Sequence, residues 1–376
     1  MEKSNYLSNW ELKSWKEVLE IRSGRNQKAV LNPNGKYPII GSAGKVMGYA
    51  DDYICEEGTT IIGRKGTINS PLFIEHKFWN VDTAFGLHSK ESLDSRFLHY
   101  FCLSFDFTEL DKGSGRPSLV KSDLLKVQIP LPPLHQQKQI VATLDKAFAA
   151  IDTAKANAAQ NLLNAKELFE SYLQDVFENK SDDWEEKTLG EVCSLYQGLA
   201  INAKTKHALV EKSNLPLLRI KDLKNNTEVK FIDPNNYPAN ALVSEEDIIY
   251  TRTGSLGLVF RGRKGVLHNN SFKVVPNDSL SKDFLFIWLQ NPIFKSKIMS
   301  LAQKAAQPDI THKIFKIQKI NIPPLAEQKI IVNKIDALST ETKKLEAIYT
   351  QKIADLEEMK KSILQKAFSG QLNTIN

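Results

Sequence analysis

The chain has 376 residues, of which 41% are hydrophobic and 25% charged, and its formal net charge is +6. This composition is typical of a folded protein of two or three domains, and it excludes a disordered chain, a collagen-like chain and a disulfide-rich scaffold. No apolar run approaches the roughly 18 residues that a membrane-spanning helix needs.

The three cysteines, Cys55, Cys102 and Cys193, are too few and too far apart for a zinc site or a disulfide framework. They are typical of a reducing compartment. The first ten residues are polar and lack the apolar segment of a secretion signal. We therefore expect a cytoplasmic protein.

Lobe 1, defined as residues 1–131, has short apolar runs that alternate with clusters of Gly, Asn and Pro. This pattern predicts short strands joined by turns, at residues 37–40, 59–62 and 127–129. Residues 95–105 have the pattern of a short helix. We expect a mixed, strand-rich domain.

A first long helix is predicted over residues 132–181. It begins at Pro132-Pro133, because proline is favoured in the first turn of a helix and disfavoured further along it. A stripe with alternating spacings of three and four, apolar except for one lysine, is typical of a coiled coil. Its members are Val141, Leu144, Phe148, Ile151, Lys155, Ala158, Leu162, Ala165, Phe169, Tyr172 and Val176.

Lobe 2, residues 182–322, again has short apolar runs, at residues 217–220, 247–250 and 272–275, and a short helix pattern at 282–289. A second long helix is predicted over residues 323–376, starting at Pro323-Pro324. Its expected seam has polar Thr342 and Lys352 at two missed positions. The apolar members are Ile331, Ile335, Leu338, Leu345, Tyr349, Leu356, Met359 and Ile363.

The second half of the chain repeats the first at an offset of 191 residues. The motif Pro-Pro-Leu-x-x-Gln-Lys-x-Ile-Val occurs at 132–141 and at 323–332, and Ser-x-Leu-Gln-x-x-Phe occurs at 171–177 and at 362–368. Upstream of the helices the match is looser, and Arg-x-Gly at 64–66 recurs at 252–254, an offset of 188 residues. The period is too long for a solenoid and indicates a duplicated unit, a lobe followed by a long helix.

These elements predict an α+β protein in which two strand-rich lobes are joined by two long antiparallel helices. Each helix, at 1.5 Å per residue, spans about 70 Å, which is far longer than one small lobe. We expect a pseudo-twofold dumbbell whose lobes are held apart by the paired helices. The alternative is that each helix lies on its own lobe.

The net positive charge of the chain comes from the two lobes. The two long-helix stretches, 133–180 and 323–376, together carry equal numbers of basic and acidic residues, so the lobes carry the whole +6. Arginine suits bidentate contacts with phosphate or guanine. All nine arginines lie in the lobes: Arg22, Arg25, Arg64, Arg96, Arg116, Arg219, Arg252, Arg261 and Arg263.

The chain resembles the specificity subunit of type I restriction–modification systems over nearly its whole length. The resemblance depends on the two Pro-Pro-Leu-x-x-Gln-Lys helix starts, on the two Phe-terminated helix ends, and on the loops at 63–67 and 113–119. One loop departs from the pattern, because Gln307-Pro308-Asp309 stands in lobe 2 where lobe 1 has Arg116-Pro117-Ser118.

The resemblance implies two target-recognition domains, each of which reads one half of a bipartite double-stranded DNA site. It implies helices that set the spacing and dock methyltransferase subunits, of which two are expected. It also implies a motor-nuclease (restriction) subunit. The cofactors S-adenosylmethionine, ATP and Mg would then belong to the partner subunits, and this chain would hold none.

Loop position and residue type give the candidate DNA contacts. In lobe 1 they are Arg64, Lys65, Thr67, Ser114, Arg116, Ser118 and Lys121, with Arg116 suited to guanine. In lobe 2 they are Arg252, Thr253, Ser255, Arg261, Arg263, Lys264 and Gln307, with the basic run at 261–264 expected on phosphates. The alternative is that these loops are solvated turns.

We expect no catalytic and no metal site in this chain. It has neither a Walker A motif nor a dinucleotide-binding turn, and its histidines show no ligand spacing. Asp309 with Glu327-x-Lys329 loosely resembles a nuclease carboxylate set, but the carboxylates are absent from the other repeat. An alternative function is a non-catalytic coiled-coil scaffold with two partner-binding lobes.

Overall fold

A computed structural model describes residues 9–303 and 308–372 of the chain. The described residues divide into two compact units. Unit 1 holds the residues up to Ala159 and from Thr350 onward, and unit 2 holds Gln160–Tyr349. Each unit contains one lobe, the first part of one long helix and the last part of the other.

Lobe 1 is built on three small sheets. A four-stranded antiparallel sheet has the order β2-β8-β5-β6, a three-stranded sheet has the order β4-β3-β7, and β1 pairs with β9. The strands are β1 (Glu11–Ser14), β2 (Leu19–Ser23), β3 (Tyr37–Ile40), β4 (Val46–Ala50), β5 (Thr59–Gly63), β6 (Leu72–Ile74), β7 (Trp79–Asn80), β8 (Ala84–Ser89) and β9 (Gln128–Leu131). The helices are α1 (Trp15–Val18), α2 (Ser95–Ser104) and α3 (Lys121–Leu124).

The sequence accounts for the main elements of lobe 1. All five residues of β5 are buried, as expected for a central strand covered on both faces. Helix α2 begins where the Asp94 carboxylate accepts hydrogen bonds from two backbone N–H groups of the first turn, which satisfies donors that a helix start leaves free. The fully buried Trp15 packs against the aromatic rings of Phe101 and Phe107.

The first long helix, α4 (Leu134–Glu178), begins directly after Pro132-Pro133. In unit 1 its first part runs antiparallel to the end of the second long helix, α10 (Leu325–Phe368). Lys155 pairs with Glu357, and Asp152 pairs with Lys360 at 3.0 Å. From Asp152 to Lys155 the residue number in α4 rises by three, while the number of the paired residue in α10 falls by three. The two helices therefore run in opposite directions.

Lobe 2 repeats this plan with additions. Its four-stranded antiparallel sheet has the order β11-β19-β16-β17, and β10 pairs with β20 as β1 pairs with β9. The strands are β10 (Glu185–Thr188), β11 (Cys193–Gln197), β12 (Leu209–Val210), β13 (Leu217–Leu218), β14 (Phe231–Ile232), β15 (Leu242–Val243), β16 (Ile248–Thr251), β17 (Val259–Phe260), β18 (Gly265–Leu267), β19 (Ser271–Pro276) and β20 (Lys319–Ile322). The helices are α5 (Leu189–Val192), α6 (Ile220–Asn225), α7 (Lys282–Trp288), α8 (Pro292–Ala302) and α9 (His312–Lys316).

In unit 2 the end of α4 and the start of α10 share one core with lobe 2. Leu173 and Phe177 of α4 lie in the same buried cluster as Ile331 and Ile335 of α10. The predicted fold class, two mixed lobes with two long antiparallel helices, is confirmed. The predicted seam of α4 is also confirmed, because every residue of that stripe is buried or partly buried.

The predicted seam of α10 is wrong at two of its apolar positions, because Leu345 and Met359 are 42% and 51% exposed. Of the two polar residues at seam positions, Thr342 is buried as its position predicts, and Lys352 is exposed. Lys360 lies inward instead, where its ammonium is 4.6 Å from the centre of the Phe148 ring. The methylene groups of a lysine can cover apolar surface while its ammonium group pairs with a neighbour. A pattern of apolar residues alone does not predict such a lysine in the seam.

Candidate nucleic-acid interface

Two loops of lobe 1 meet to form a single surface. The first is the β5–β6 connection at residues 64–71, and the second is the segment 111–120 that leads into α3. The Gly66 amide donates to the Pro117 carbonyl at 2.9 Å, and the Leu119 amide donates to the Arg64 carbonyl at 2.9 Å. The structure therefore brings the Arg64, Lys65 and Thr67 group together with the Ser114, Arg116 and Ser118 group.

One carboxylate that is not among the contacts predicted from the sequence shapes the second loop. Asp111 Oδ1 accepts hydrogen bonds from the Gly113 and Ser118 amides, each at 2.8 Å. These two backbone donors lower the pKa of Asp111 below its usual value. The Asp-x-Gly spacing is the only sequence signal for such a turn, and it is common in loops without any function.

The basic side chains of this surface differ in their surroundings. The Arg64 guanidinium lies 5.6 Å from the centre of the Phe85 ring. Lys65 and Arg116 are exposed, and neither side chain makes a hydrogen bond or ion pair within residues 9–303 and 308–372. Thr67 and Ser114 are exposed as well. The Lys121 ammonium is engaged, since it donates to the Ile21 carbonyl of β2 at 2.6 Å.

Lobe 2 has the same backbone arrangement with different side chains. The Ile310 amide donates to the Arg252 carbonyl at 2.9 Å, as Leu119 does to Arg64 in lobe 1. However, Arg252 is held by Asp309 through two hydrogen bonds, of which Nε to Oδ1 is 3.0 Å. Both side chains are about three-quarters buried, being 22% and 25% exposed. Two donor groups of this guanidinium are therefore occupied by a neighbour.

The remaining lobe 2 candidates near this loop are only partly exposed. Thr253 forms an isolated backbone bridge to Asp309 and is half-buried. The Ser255 hydroxyl accepts a hydrogen bond of 2.8 Å from the Lys224 ammonium. Gln307 lies outside the described residues, so the lobe 2 counterpart of Arg116 is not placed.

The basic run at 261–264 does not form one surface. Arg261 pairs with Asp283, and its guanidinium lies 4.6 Å from the centre of the Phe286 ring, in a groove of about 370 Å³ beside α4 and α10. Arg263 instead closes the C-terminal end of α6, donating to Asn226 Oδ1 at 2.7 Å and to the Thr227 carbonyl at 3.2 Å. Lys264 is exposed. Sequence adjacency could not show this, because neighbouring residues on a tight turn point in different directions.

A buried glutamine fastens each long helix to its lobe. Gln137 accepts from the Asp94 amide at 2.8 Å and donates to the Ser92 and Pro132 carbonyls at 3.0 and 2.8 Å. Gln328 makes the same three bonds, to the Ser281 amide and to the Ser279 and Pro323 carbonyls. This explains the glutamine of the repeated Pro-Pro-Leu-x-x-Gln motif.

The two carboxylates that loosely resemble a nuclease set each contact a different partner. Asp309 is paired with Arg252, and Glu327 accepts a hydrogen bond of 3.1 Å from the Trp184 indole. Within the described part of the chain, no group of three or more His, Cys, Asp or Glu side chains could hold a metal ion. The same residues include no helix long and apolar enough to cross a bilayer.

Residues 7–162 and 181–357 each match the type I restriction modification DNA specificity domain. The chain belongs to this family. The first copy of the domain covers lobe 1 with the start of α4, and the second covers lobe 2 with much of α10, so the internal repeat is a repeat of the family domain. The predicted family resemblance is confirmed.

Relatives in the specificity-domain family match along most of the chain. The type I restriction enzyme MjaVIII specificity subunit of Methanocaldococcus jannaschii is 23% identical over 355 residues, covering 85% of this chain and 77% of the relative. The EcoKI specificity subunit of Escherichia coli is 25% identical over 317 residues, covering 76% and 67%. A chain from a solved structure concerned with complex assembly of the type I R-M system shares the fold, with a TM-score of 0.81 at 21% identity and coverage of 97% of this chain and 99% of that one.

Proposed function

We propose that this chain is the DNA-reading subunit of a type I restriction–modification complex, in which each lobe reads one half of a bipartite double-stranded site. The observation that carries the proposal is the repeated loop pair. In both lobes a loop after a central strand is joined by the same backbone hydrogen bond to the loop before a short helix, and both loops bear basic or polar side chains. We keep 1–131 and 182–322 as the two target-recognition domains.

The proposed contacts differ in role. Lys65, Thr67 and Lys264 are exposed and suit phosphate oxygens, which position a protein on the duplex without specifying sequence. Arg116 suits the O6 and N7 atoms of guanine. Arg252 keeps one amino group, Nη1, outside its pair with Asp309, so it can still contact DNA as an arginine oriented by a carboxylate.

We propose that α4 and α10 set the distance between the two half-sites and dock the methyltransferase subunits. Apolar side chains on the long helices support docking, because uncovered apolar surface marks interaction sites. In unit 2, Leu163 and Leu168 of α4 are 48% and 65% exposed, and Leu345 and Ile348 of α10 are 42% and 58% exposed. Removing one heptad from each helix, about 10 Å, should shorten the gap by roughly three base pairs; an unchanged gap would contradict the spacing role.

The proposal assigns no reaction to this chain. The methyltransferase subunits would bind S-adenosylmethionine and methylate adenine, and the motor-nuclease subunit would use ATP and Mg. The residues described here would bind and orient the duplex for those partners.

Selection from random duplexes with the full chain and its methyltransferase subunits tests the proposal. We expect enrichment of two sequence blocks separated by a fixed gap, and an affinity whose logarithm falls linearly with the logarithm of salt concentration. Enrichment of no bipartite motif, with an affinity insensitive to salt, would overturn the proposal in favour of a scaffold with two partner-binding lobes.

A further inference from the structure

Arg116 of lobe 1 lies directly over the backbone of Gly66. A Cβ atom built on Gly66 would lie 2.9 Å from Arg116 Nη2, 3.2 Å from Nε and 3.5 Å from Cζ. All three distances run to the guanidinium, and Cζ is the farthest of the three atoms, so the group turns its Nε–Nη2 edge into the space that the missing side chain leaves. Apart from this contact and the backbone bonds of its loop, the described residues hold the Arg116 side chain by no hydrogen bond or ion pair.

Gly254, the equivalent glycine of lobe 2, has the same backbone conformation, but among the described residues no atom beyond its chain neighbours lies close to the position of a Cβ. Gly66 has φ +85° and Gly254 has φ +74°, so both adopt the left-handed region that other residues rarely enter. A Cβ on Gly254 would meet nothing within 4 Å. The left-handed turn therefore explains a glycine in both lobes, while the contact with a guanidinium is particular to lobe 1.

We propose that Gly66 is a positioning residue for DNA reading, because it seats the Arg116 guanidinium in the orientation in which that group reads guanine. This inference rests on the proposed function above. A flexible arginine loses conformational freedom when it binds, and an arginine already seated on the backbone loses less. The guanine preference of lobe 1 then depends on Gly66 as well as on Arg116.

The chemistry of the contact makes the proposal testable. A new Cβ at Gly66 meets the far end of a flexible side chain, so Arg116 can swing away without disturbing the fold. G66A and G254A should therefore lose similar stability, through backbone strain alone. They should differ in sequence preference, because only G66A displaces a guanidinium.

The experiment is duplex selection by the full chain with its methyltransferase subunits, for wild type, G66A, G254A, R116A and the double variant G66A/R116A. We expect R116A to lose a guanine preference of roughly 5- to 150-fold at one base pair of one half-site. G66A should lose most of the same preference at the same base pair, and the double variant should lose no more than R116A. G254A serves as the strain control, and its effects should be confined to the other half-site.

The outcomes separate the two proposals. A wild-type chain that selects no bipartite site overturns the proposed function. A wild-type chain that selects one, with G66A behaving as G254A does, overturns only the role of Gly66. If G66A melts well below G254A, R116A and R116K, which both keep Gly66, are compared with the wild type instead. A guanine preference that survives in R116A then contradicts the inference.

Discussion

The paired loops of lobe 1 and lobe 2 share a backbone and differ in their charged side chains, and the difference that acts on the shared arginine is aspartate in place of serine. In lobe 1 the arginine that follows the central strand, Arg64, faces an aromatic ring and has Ser118 across the loop junction. In lobe 2 the corresponding Arg252 has Asp309 at the equivalent place and is bound to it. The duplication has kept the hydrogen-bonded frame, and a single exchange of serine for aspartate changes what the arginine can contact.

The two lobes also differ in the face that each turns to its own part of the long helices. In unit 1, Tyr100 of α2 donates a hydrogen bond to Asp145 of α4, and Arg96 bridges Asp145 and Glu75. In lobe 2 the residue equivalent to Tyr100 is Ile287, which is buried in the hydrophobic core of unit 2. Unit 1 therefore joins its lobe to α4 by polar contacts at a place where lobe 2 uses apolar packing.

The largest expected effect comes from a feature that the lobes share. Gln137→Ala leaves one amide and two carbonyls without their partner, and Gln328→Ala does the same in unit 2. We expect each variant to lower the free energy of unfolding of its own unit by about 3 kcal/mol, since each lost bond to a buried group costs roughly 1 kcal/mol or more. Hydrogen exchange followed by mass spectrometry measures the two units separately.

Gln139→Ala is the matched control, because Gln139 is exposed on the same helix. It should cost less than 0.5 kcal/mol, which is usual for surface substitutions. Equal losses in Q139A and Q137A would show that the buried bonds do not fasten the helix to the lobe.

The next largest effect is a pH dependence of stability that we expect in lobe 1 and not at the equivalent position of lobe 2. His99 of α2 is partly buried, and burial together with the nearby Arg96 lowers its pKa to about 4. His99 is therefore neutral in the folded protein. Its contribution to stability is complete above the unfolded pKa of about 6.5 and is lost as the pH falls towards 4. At pH 5 the loss is about 1–2 kcal/mol.

Lobe 2 has Phe286 at the position equivalent to His99, which supplies the test. We expect H99F to reduce the loss of unit 1 stability between pH 7 and pH 5 by about 1–2 kcal/mol. The measurement is hydrogen exchange of the α2 amides in variant and wild type at each pH. H207Q, at an exposed histidine, should change nothing; an H99F protein as acid-sensitive as the wild type would show that His99 does not stay neutral.

The smallest expected effect comes from exchanging Ser118 and Asp309, the equivalent residues that face the arginines of the paired loops. D309S should release Arg252 and steepen the dependence of DNA affinity on salt by about one unit of slope, since one more cation becomes available to phosphate. S118D should engage Arg64 and reduce the slope by about one unit. Titrations of a fixed duplex at several salt concentrations measure both.

D278S controls for total charge, because Asp278 is exposed and follows the end of β19 that lies away from the loop. It should leave the slope nearly unchanged. If D278S and D309S steepen the slope equally, the net charge of the lobe, and not the release of Arg252, explains the effect.

The sequence predicted the features that repeat or that follow a period. The offset of 191 residues revealed two equivalent units, and the Pro-Pro pairs placed both helix starts within two residues, at Leu134 and Leu325. The seam of α4 followed from its apolar period. These features depend on local rules, namely the fixed φ of proline and the 3.6-residue turn.

The remainder depends on side-chain placement, which has no local rule. Nothing in the run at 261–264 indicates that Arg261 stacks on Phe286 while Arg263 closes a helix. The Asp309 carboxylate lies 57 positions along the chain from Arg252, which it binds. The contact of Gly66 with Arg116 likewise joins two loops that only the fold brings together.

The most direct test is to place a second copy of lobe 1 where lobe 2 stands, so that both target-recognition domains are the same. In lobe 1 Glu11 pairs opposite Leu131, and in lobe 2 Glu185 pairs opposite Ile322. Residues 11–131 can therefore replace 185–322 with equivalent ends. Selection with the methyltransferase subunits should then yield an inverted repeat of the lobe 1 half-site at the wild-type gap. An unchanged asymmetric site would contradict the claim that each lobe reads its own half.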